Sequence, residues 1–289
     1  MTSISIPDGT GVDSRQYRFS FAIPALSQVP ADFVLPPDLG PFDAGVFLPR
    51  DDVDWLGRRR YPARILLLSG REALVVPHPA AGEPTIRVPL DRIERIEWGR
   101  ILLTGWVVLT WDGGHVQLPY NTRARGAVEK CVRTLQDRWL PALPIHQPSS
   151  TAAFGEPLDL KFGYARSAEL LTGEAPLAQF FEPAVRGTRR FFWFRRNHWP
   201  AADLVLVTPR RLLWITERNK RRYERYGTVS HSARLASIAG VRCVRTGEDG
   251  GLEIAFYSGD TWHVPVQEDR EEEASRFEAA MRKIVGQVR

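Results

Sequence analysis

Residues 65–76 read ILLLSGREALVV, and residues 204–215 answer them without gaps as LVLVTPRRLLWI. A second pair follows: 106–120 reads WVVLTWDGGHVQLPY and 252–266 reads LEIAFYSGDTWHVPV. Apolar positions coincide almost throughout both pairs, so one fold is built twice in tandem. Upstream of the first block, Tyr17, Phe19, Phe21 and Ile23 alternate with polar or small residues; upstream of the second, Leu158, Leu160, Phe162 and Tyr164 do the same. Strict alternation predicts a strand in both places. Leu90 and Ile93 are matched by Leu235 and Ile238, where the offset between repeats has grown from 139 to 145. The second repeat therefore carries six extra residues, placed within 217–227.

Each repeat closes in a helix. Val128, Cys131, Val132, Leu135 and Trp139 form one apolar stripe at helical spacing, with Asn121-Thr122 ahead of it as a capping pair. Ala274, Phe277, Met281, Ile284 and Val288 form the other, and the acid-rich run 268–273 falls in its first turns, where the helix dipole favours negative charge. Ahead of that second helix the pattern predicts seven strands, near 175–184, 204–208, 212–216, 228–235, 241–244, 252–257 and 261–266. Asp112-Gly113-Gly114 and Ser258-Gly259-Asp260 read as hairpin turns before the last strand of each repeat. The expected fold is mainly β, of the α+β kind: two domains, each a bent antiparallel barrel or sandwich of about seven strands capped by a C-terminal amphipathic helix. The first domain is placed at 1–145, with its core at 43–140 and an N-terminal strand near 17–23. The Pro/Ser/Ala stretch 146–157 is the linker, and the second domain spans 158–289.

The 289 residues suit two domains, and 43% apolar residues suffice for two ordinary cores. No apolar run reaches the roughly 20 residues of a membrane span. The opening MTSISIPDGTG has neither the basic nor the apolar region of a signal peptide. Cys131 and Cys243 fall in different repeats, which argues against a disulfide framework and for a cytoplasmic location, extended at most to the membrane periphery. The net charge is +5, with four lysines against 35 arginines. Arginine is the better phosphate fork, although biased codon usage explains the same excess.

The stretch Leu206-Val207-Thr208-Pro209-Arg210-Arg211-Leu212-Leu213-Trp214-Ile215 pairs two apolar strands around Thr-x-x-Arg-Leu. In this it resembles the pleckstrin-homology-like superfold, in particular the bacterial PH and GRAM-type domains. Residues 232–238, SARLASI, are similar to that family's next strand end, and Gly173-Glu174 resembles the Gly-Glu that opens its first strand. In the first repeat Ser69-Gly70-Arg71-Glu72 departs from the Thr and Arg of the pattern. The likeness covers 160–289 well and 43–140 more loosely. It implies a binding or scaffolding module rather than an enzyme, and it directs attention to the loop between the first two strands, which carries the phosphoinositide-holding basic residues in such domains.

That loop holds Arg186, Arg189, Arg190, Phe191, Phe192, Trp193, Phe194, Arg195, Arg196, His198 and Trp199, with no acid among them. Forked donors suit phosphate, and Trp and Phe beside Arg suit a membrane interface. The plainer reading is a strand running into the core with its arginines as solvated flanks. The corresponding loop of the first repeat, Arg58-Arg59-Arg60-Tyr61, is shorter and follows Asp51, Asp52 and Asp54, which repel phosphate. The six-residue insertion interleaves Arg218, Lys220, Arg221, Arg222 and Arg225 with Tyr223 and Tyr226; a solvated hairpin tip is its plainer reading. Enzyme readings lack support. The six histidines form no zinc pattern, and no phosphate loop or nucleophile elbow occurs. No cofactor is expected, and the charge balance of each half does not suit a dedicated nucleic-acid binder. The expectation is a non-enzymatic module docking on an anionic membrane surface, a phosphate-bearing ligand or a protein partner through Arg186, Arg189, Arg190, Trp193, Arg195, Arg196, Lys220, Arg221 and Arg222. The alternative is a protein–protein scaffold or oligomerisation unit that binds no lipid.

Overall fold

A computed structural model of the chain describes residues 19–50, 61–101, 103–140, 151–184, 187–191, 194–198, 201–219, 222–223, 227–244 and 250–288. For 124, 187–191, 194–198, 218–219 and 222–223 the backbone alone is described. The protein is mainly β, with sandwich-like sheets and a C-terminal helix, and it divides into two compact units. Residues 1–93 and 102–139 make the first, and 94–101 and 140–289 make the second.

In the first unit, β1 (Phe21–Ala22), β2 (Ala44–Leu48), β3 (Arg64–Ser69), β4 (Glu72–Pro77) and β5 (Ile86–Pro89) form an antiparallel sheet in sequence order. Strands this apolar on consecutive positions, such as β3 with four buried residues in a row, are covered on both faces. Ile23, Phe33, Phe47, Ile65, Leu67, Leu74 and Val76 make a core on one side. After β6 (Ile93–Ile101), β7 (Thr104–Trp111) and β8 (Gly114–Asn121) form a hairpin, turned by Gly113 at φ +95°. The unit ends in α1 (Arg125–Trp139), whose predicted stripe is buried throughout. Asn121 caps the short turn before it, accepting from the Arg123 amide at 2.9 Å, and the Trp139 indole donates to the Ile93 carbonyl at 2.7 Å. The strand expected near 17–23 is only the two residues of β1, and Tyr17 lies outside the described residues.

The second unit begins with β9 (Ala152–Gly155) and α2 (Leu160–Glu169), then β10 (Ala178–Glu182), β11 (Gly187–Phe191), β12 (Phe194–His198), β13 (Asp203–Val207), β14 (Arg211–Thr216), β15 (Arg218–Asn219), β16 (Arg222–Tyr223) and β17 (Gly227–Arg234). It closes with β18 (Ile238–Val244), β19 (Gly251–Phe256), β20 (Thr261–Pro265) and α3 (Glu271–Gly286). All seven predicted strands are present within a few residues of their expected places. Within this unit residues 94–101 of β6 pair with β17, and β14, β13, β10 and β9 follow in order; all are antiparallel except β9 on β10. A second sheet, β18-β19-β20, packs with α3 over one face of the first around Phe180, Val205, Leu212, Ile254, Phe277 and Met281. The strand 94–101 is a finding the repeat pattern does not anticipate. It lies in the first repeat by sequence, yet β17 takes it as a neighbour, with Gly227 so close that a Cβ would sit 2.2 Å from the Arg100 carbonyl.

Helix α2 corrects a reading. Leu158, Leu160, Phe162 and Tyr164 alternate, but the last three lie in the first turns of a helix and Leu158 just ahead of its cap, none of them on a strand. Asp159 decides it: its carboxylate accepts from the Phe162 amide at 2.7 Å and caps the first turn. Phe162 and Ala165 then fall on one helical face, over Phe181, Ala202, Leu204, Leu206, Leu213 and Ile215, with Leu158 packing on the same cluster from ahead of the cap. Leu160 and Tyr164 fall on the other.

Candidate functional site

The residues of the family-like motif form a buried lock. Arg211 and Glu174 are both fully buried and paired, with Arg211 Nη2 donating to Glu174 Oε2 at 2.9 Å and Arg211 Nε to Oε1 at 3.2 Å. Nη1 donates to the Ser232 hydroxyl at 3.0 Å, and Nη2 donates also to the Glu169 carbonyl at 2.6 Å. Glu174 also accepts from the Thr208 hydroxyl at 2.6 Å and the Leu171 amide at 2.8 Å. Burial pushes the Glu174 carboxyl up, but Arg211 and these donors outweigh it and hold the group below the ordinary carboxylate range. The lock ties the segment before β10 to the β13–β14 turn and to β17. With both side chains buried and held by these bonds, it positions the strands.

The basic segments lie at the opposite end of those strands. Cross-strand partners Glu182, Asp203, Thr216 and Val229 form one row across β10, β13, β14 and β17. The chain leaves that row twice, from β10 to β13 and from β14 to β17. In the first excursion β11 and β12 pair antiparallel, with Gly187 opposite His198, Thr188 opposite Asn197, Arg189 opposite Arg196, Arg190 opposite Arg195 and Phe191 opposite Phe194. Four residues separate β10 from β11 and four separate β12 from β13, so the outer hairpin keeps the register of the inner one. In the second excursion Arg218 stands opposite Tyr223 and Asn219 opposite Arg222. The two hairpins thus rise from neighbouring strand pairs at one end of one sheet, with roots about 10 Å apart at the usual strand spacing. Of the residues singled out from sequence, Arg189, Arg190, Arg195, Arg196 and Arg222 are placed on these strands. Arg186, Trp193, Lys220 and Arg221 lie outside the described residues.

Charge is segregated accordingly. Segments 186–199 and 217–226 contain ten of the 39 Lys and Arg residues and two of the 34 acids, so they carry net +8 and the rest of the chain net −3. At their root are three buried acids. Asp203 accepts from the Trp214 indole at 2.9 Å, and Glu217 accepts from the Ala202 amide at 3.2 Å and pairs with Lys161. Glu182 accepts from Gln267, while its Oε2 has no hydrogen-bond partner among the described residues. Burial pushes the Glu182 carboxyl up to about 7 against the pull of Gln267 and Arg270. Sequence reasoning missed these acids, because an isolated Glu or Asp on a strand carries no pattern. It also missed that the two loops share one sheet end, which only the strand order reveals.

No protein-family model matches the chain, and no curated protein matches it. No helix among the described residues is long and apolar enough to cross a membrane.

Proposed function

We propose that the chain is a tandem of two PH-like units with a binding role, and that the second unit docks on an acidic lipid surface through the β11–β12 hairpin. The observation that carries this reading is the register: Arg189 opposes Arg196 and Arg190 opposes Arg195 on adjacent rungs, with no acid in the hairpin. Like charges directly opposite each other destabilise a β pair. Two such rungs in succession are disfavoured without a counter-charge, and the phosphates of a bilayer supply one. The aromatic run Phe191-Phe192-Trp193-Phe194 in the sequence of this segment suits the interfacial region just beneath those phosphates.

Each arginine near an acidic bilayer contributes about 1 kcal/mol. Replacing Arg189, Arg190, Arg195 and Arg196 by Ser should therefore weaken binding to vesicles of 30% phosphatidylserine by roughly a thousand-fold. Co-sedimentation at 0.1 M and 0.5 M salt, with pure phosphatidylcholine vesicles as reference, tests it. Wild-type protein that stays in the supernatant with acidic vesicles at 0.1 M salt refutes the reading and leaves the scaffold.

A further inference from the structure

Helix α2 begins at the end of the sheet from which the basic hairpins rise. Phe162, in its first turn, packs on Phe181 with ring centroids 5.1 Å apart, and on Ala202 and Leu204, the positions of β10 and β13 beside the hairpin root. Lys161 pairs with Glu217, the residue immediately before β15. The N-terminal half of α2 therefore lies at the roots of both hairpins. Two of its side chains point away from the core: Leu160 is 83% exposed and Tyr164 is 76% exposed. Four positions apart on a helix, they share one face.

We infer that Leu160 and Tyr164 are the apolar contact of the docking surface, entering the headgroup region of an acidic bilayer while the hairpin cations engage its phosphates. This rests on the reading above and narrows it. Single exposed apolar side chains need no explanation, but a Leu–Tyr pair on a helix at the root of the hairpins that carry Arg189, Arg190, Arg195 and Arg196 combines the two components of interfacial binding, apolar burial and attraction to anionic headgroups. A polyanion in water, whether free phosphate or nucleic acid backbone, satisfies the cations and gives Leu160 nothing to bury against. Tyrosine adds a ring that favours the bilayer interface and a hydroxyl that stays wet there.

The test uses the full chain and vesicles of 30% phosphatidylserine. Leu160→Ser with Tyr164→Ser should bind about ten-fold more weakly at 0.1 M salt, with an unchanged melting temperature. At 0.5 M salt, where the cations are screened, wild type should keep part of its binding and the double variant none. Tyr164→Trp should bind several-fold more tightly, because Trp partitions best into the interface. If wild type binds and the double variant matches it at both salts, the apolar contact is refuted while the hairpin reading stands. If wild type does not bind at 0.1 M salt, both fall.

Discussion

Glu182→Gln should stabilise the second unit at alkaline pH and leave it nearly unchanged at acid pH. Glu182 is 4% exposed, stands opposite Asp203 at the hairpin root, and accepts from Gln267 with one oxygen while the other has no hydrogen-bond partner among the described residues. Desolvation raises its carboxyl from the usual 4.5 to about 7, opposed by Gln267 and Arg270 and reinforced by Asp269. Because the folded value lies above the unfolded one, the folded state holds the proton more tightly. The stabilisation from this group is complete below pH 4.5, is lost as pH rises to about 7, and is constant above that. Each pH unit of separation corresponds to about 1.4 kcal/mol. The cost of ionising Glu182 in place is therefore at most about 3 kcal/mol at pH 8. Glutamine keeps an acceptor for Gln267 and carries no charge, so it should recover most of that amount. Urea titrations followed by tryptophan fluorescence at pH 4.5, 6 and 8 read the difference between the two proteins, which should grow with pH. A constant difference, or a Gln variant less stable at pH 8, would refute the assignment of an uncompensated buried acid.

Arg211→Met should cost roughly 3–5 kcal/mol, because Glu174 is left charged and buried; Arg211→Met with Glu174→Gln should recover part of that loss in the same urea titration. Gly227→Val should loosen β6 from β17, since its Cβ would meet the Arg100 carbonyl at 2.2 Å; amide exchange at 94–101 should accelerate, and unchanged protection there would count against the pairing. Phe277→Ala should destabilise the second unit by about 3–5 kcal/mol, as the ring is fully buried between the sheets; a loss under about 1 kcal/mol would mean the α3 stripe was misplaced.

The second unit was largely legible because its strands are short, bounded by turns and apolar on successive positions. Leu206, Leu213, Ile215, Leu235, Ile254 and Phe256 are all buried where the repeat places them. The helices were legible because a stripe such as Val128, Cys131, Val132 and Leu135 fits only one period. Helix α2 was not: four alternating residues fit either period, and the deciding cap, Asp159, is a single polar residue. The partner of 94–101 was hidden for another reason, since strand pairing over more than a hundred residues leaves no mark in local pattern. At the candidate site, composition picked out the arginines. It could not give their opposition in two rungs, which depends on the register of β11 on β12, or that their hairpin and the one carrying Arg218 and Arg222 rise from one sheet end, which depends on strand order.

The matched arms of the β10–β13 excursion impose a parity on how this segment can change. One residue added to 183–186 alone would shift the outer hairpin by one step against the inner and exchange the faces of every residue in one arm. Arg189 would still stand opposite Arg196, but their rung would no longer be in register with Glu182 and Asp203. One residue added to each arm leaves every rung intact and only lifts the arginines further from the sheet, by about 3.3 Å. Length variation that keeps the double arginine rung in register with the sheet beneath it is therefore restricted to paired insertions and deletions, one on each side of Phe192 and Trp193.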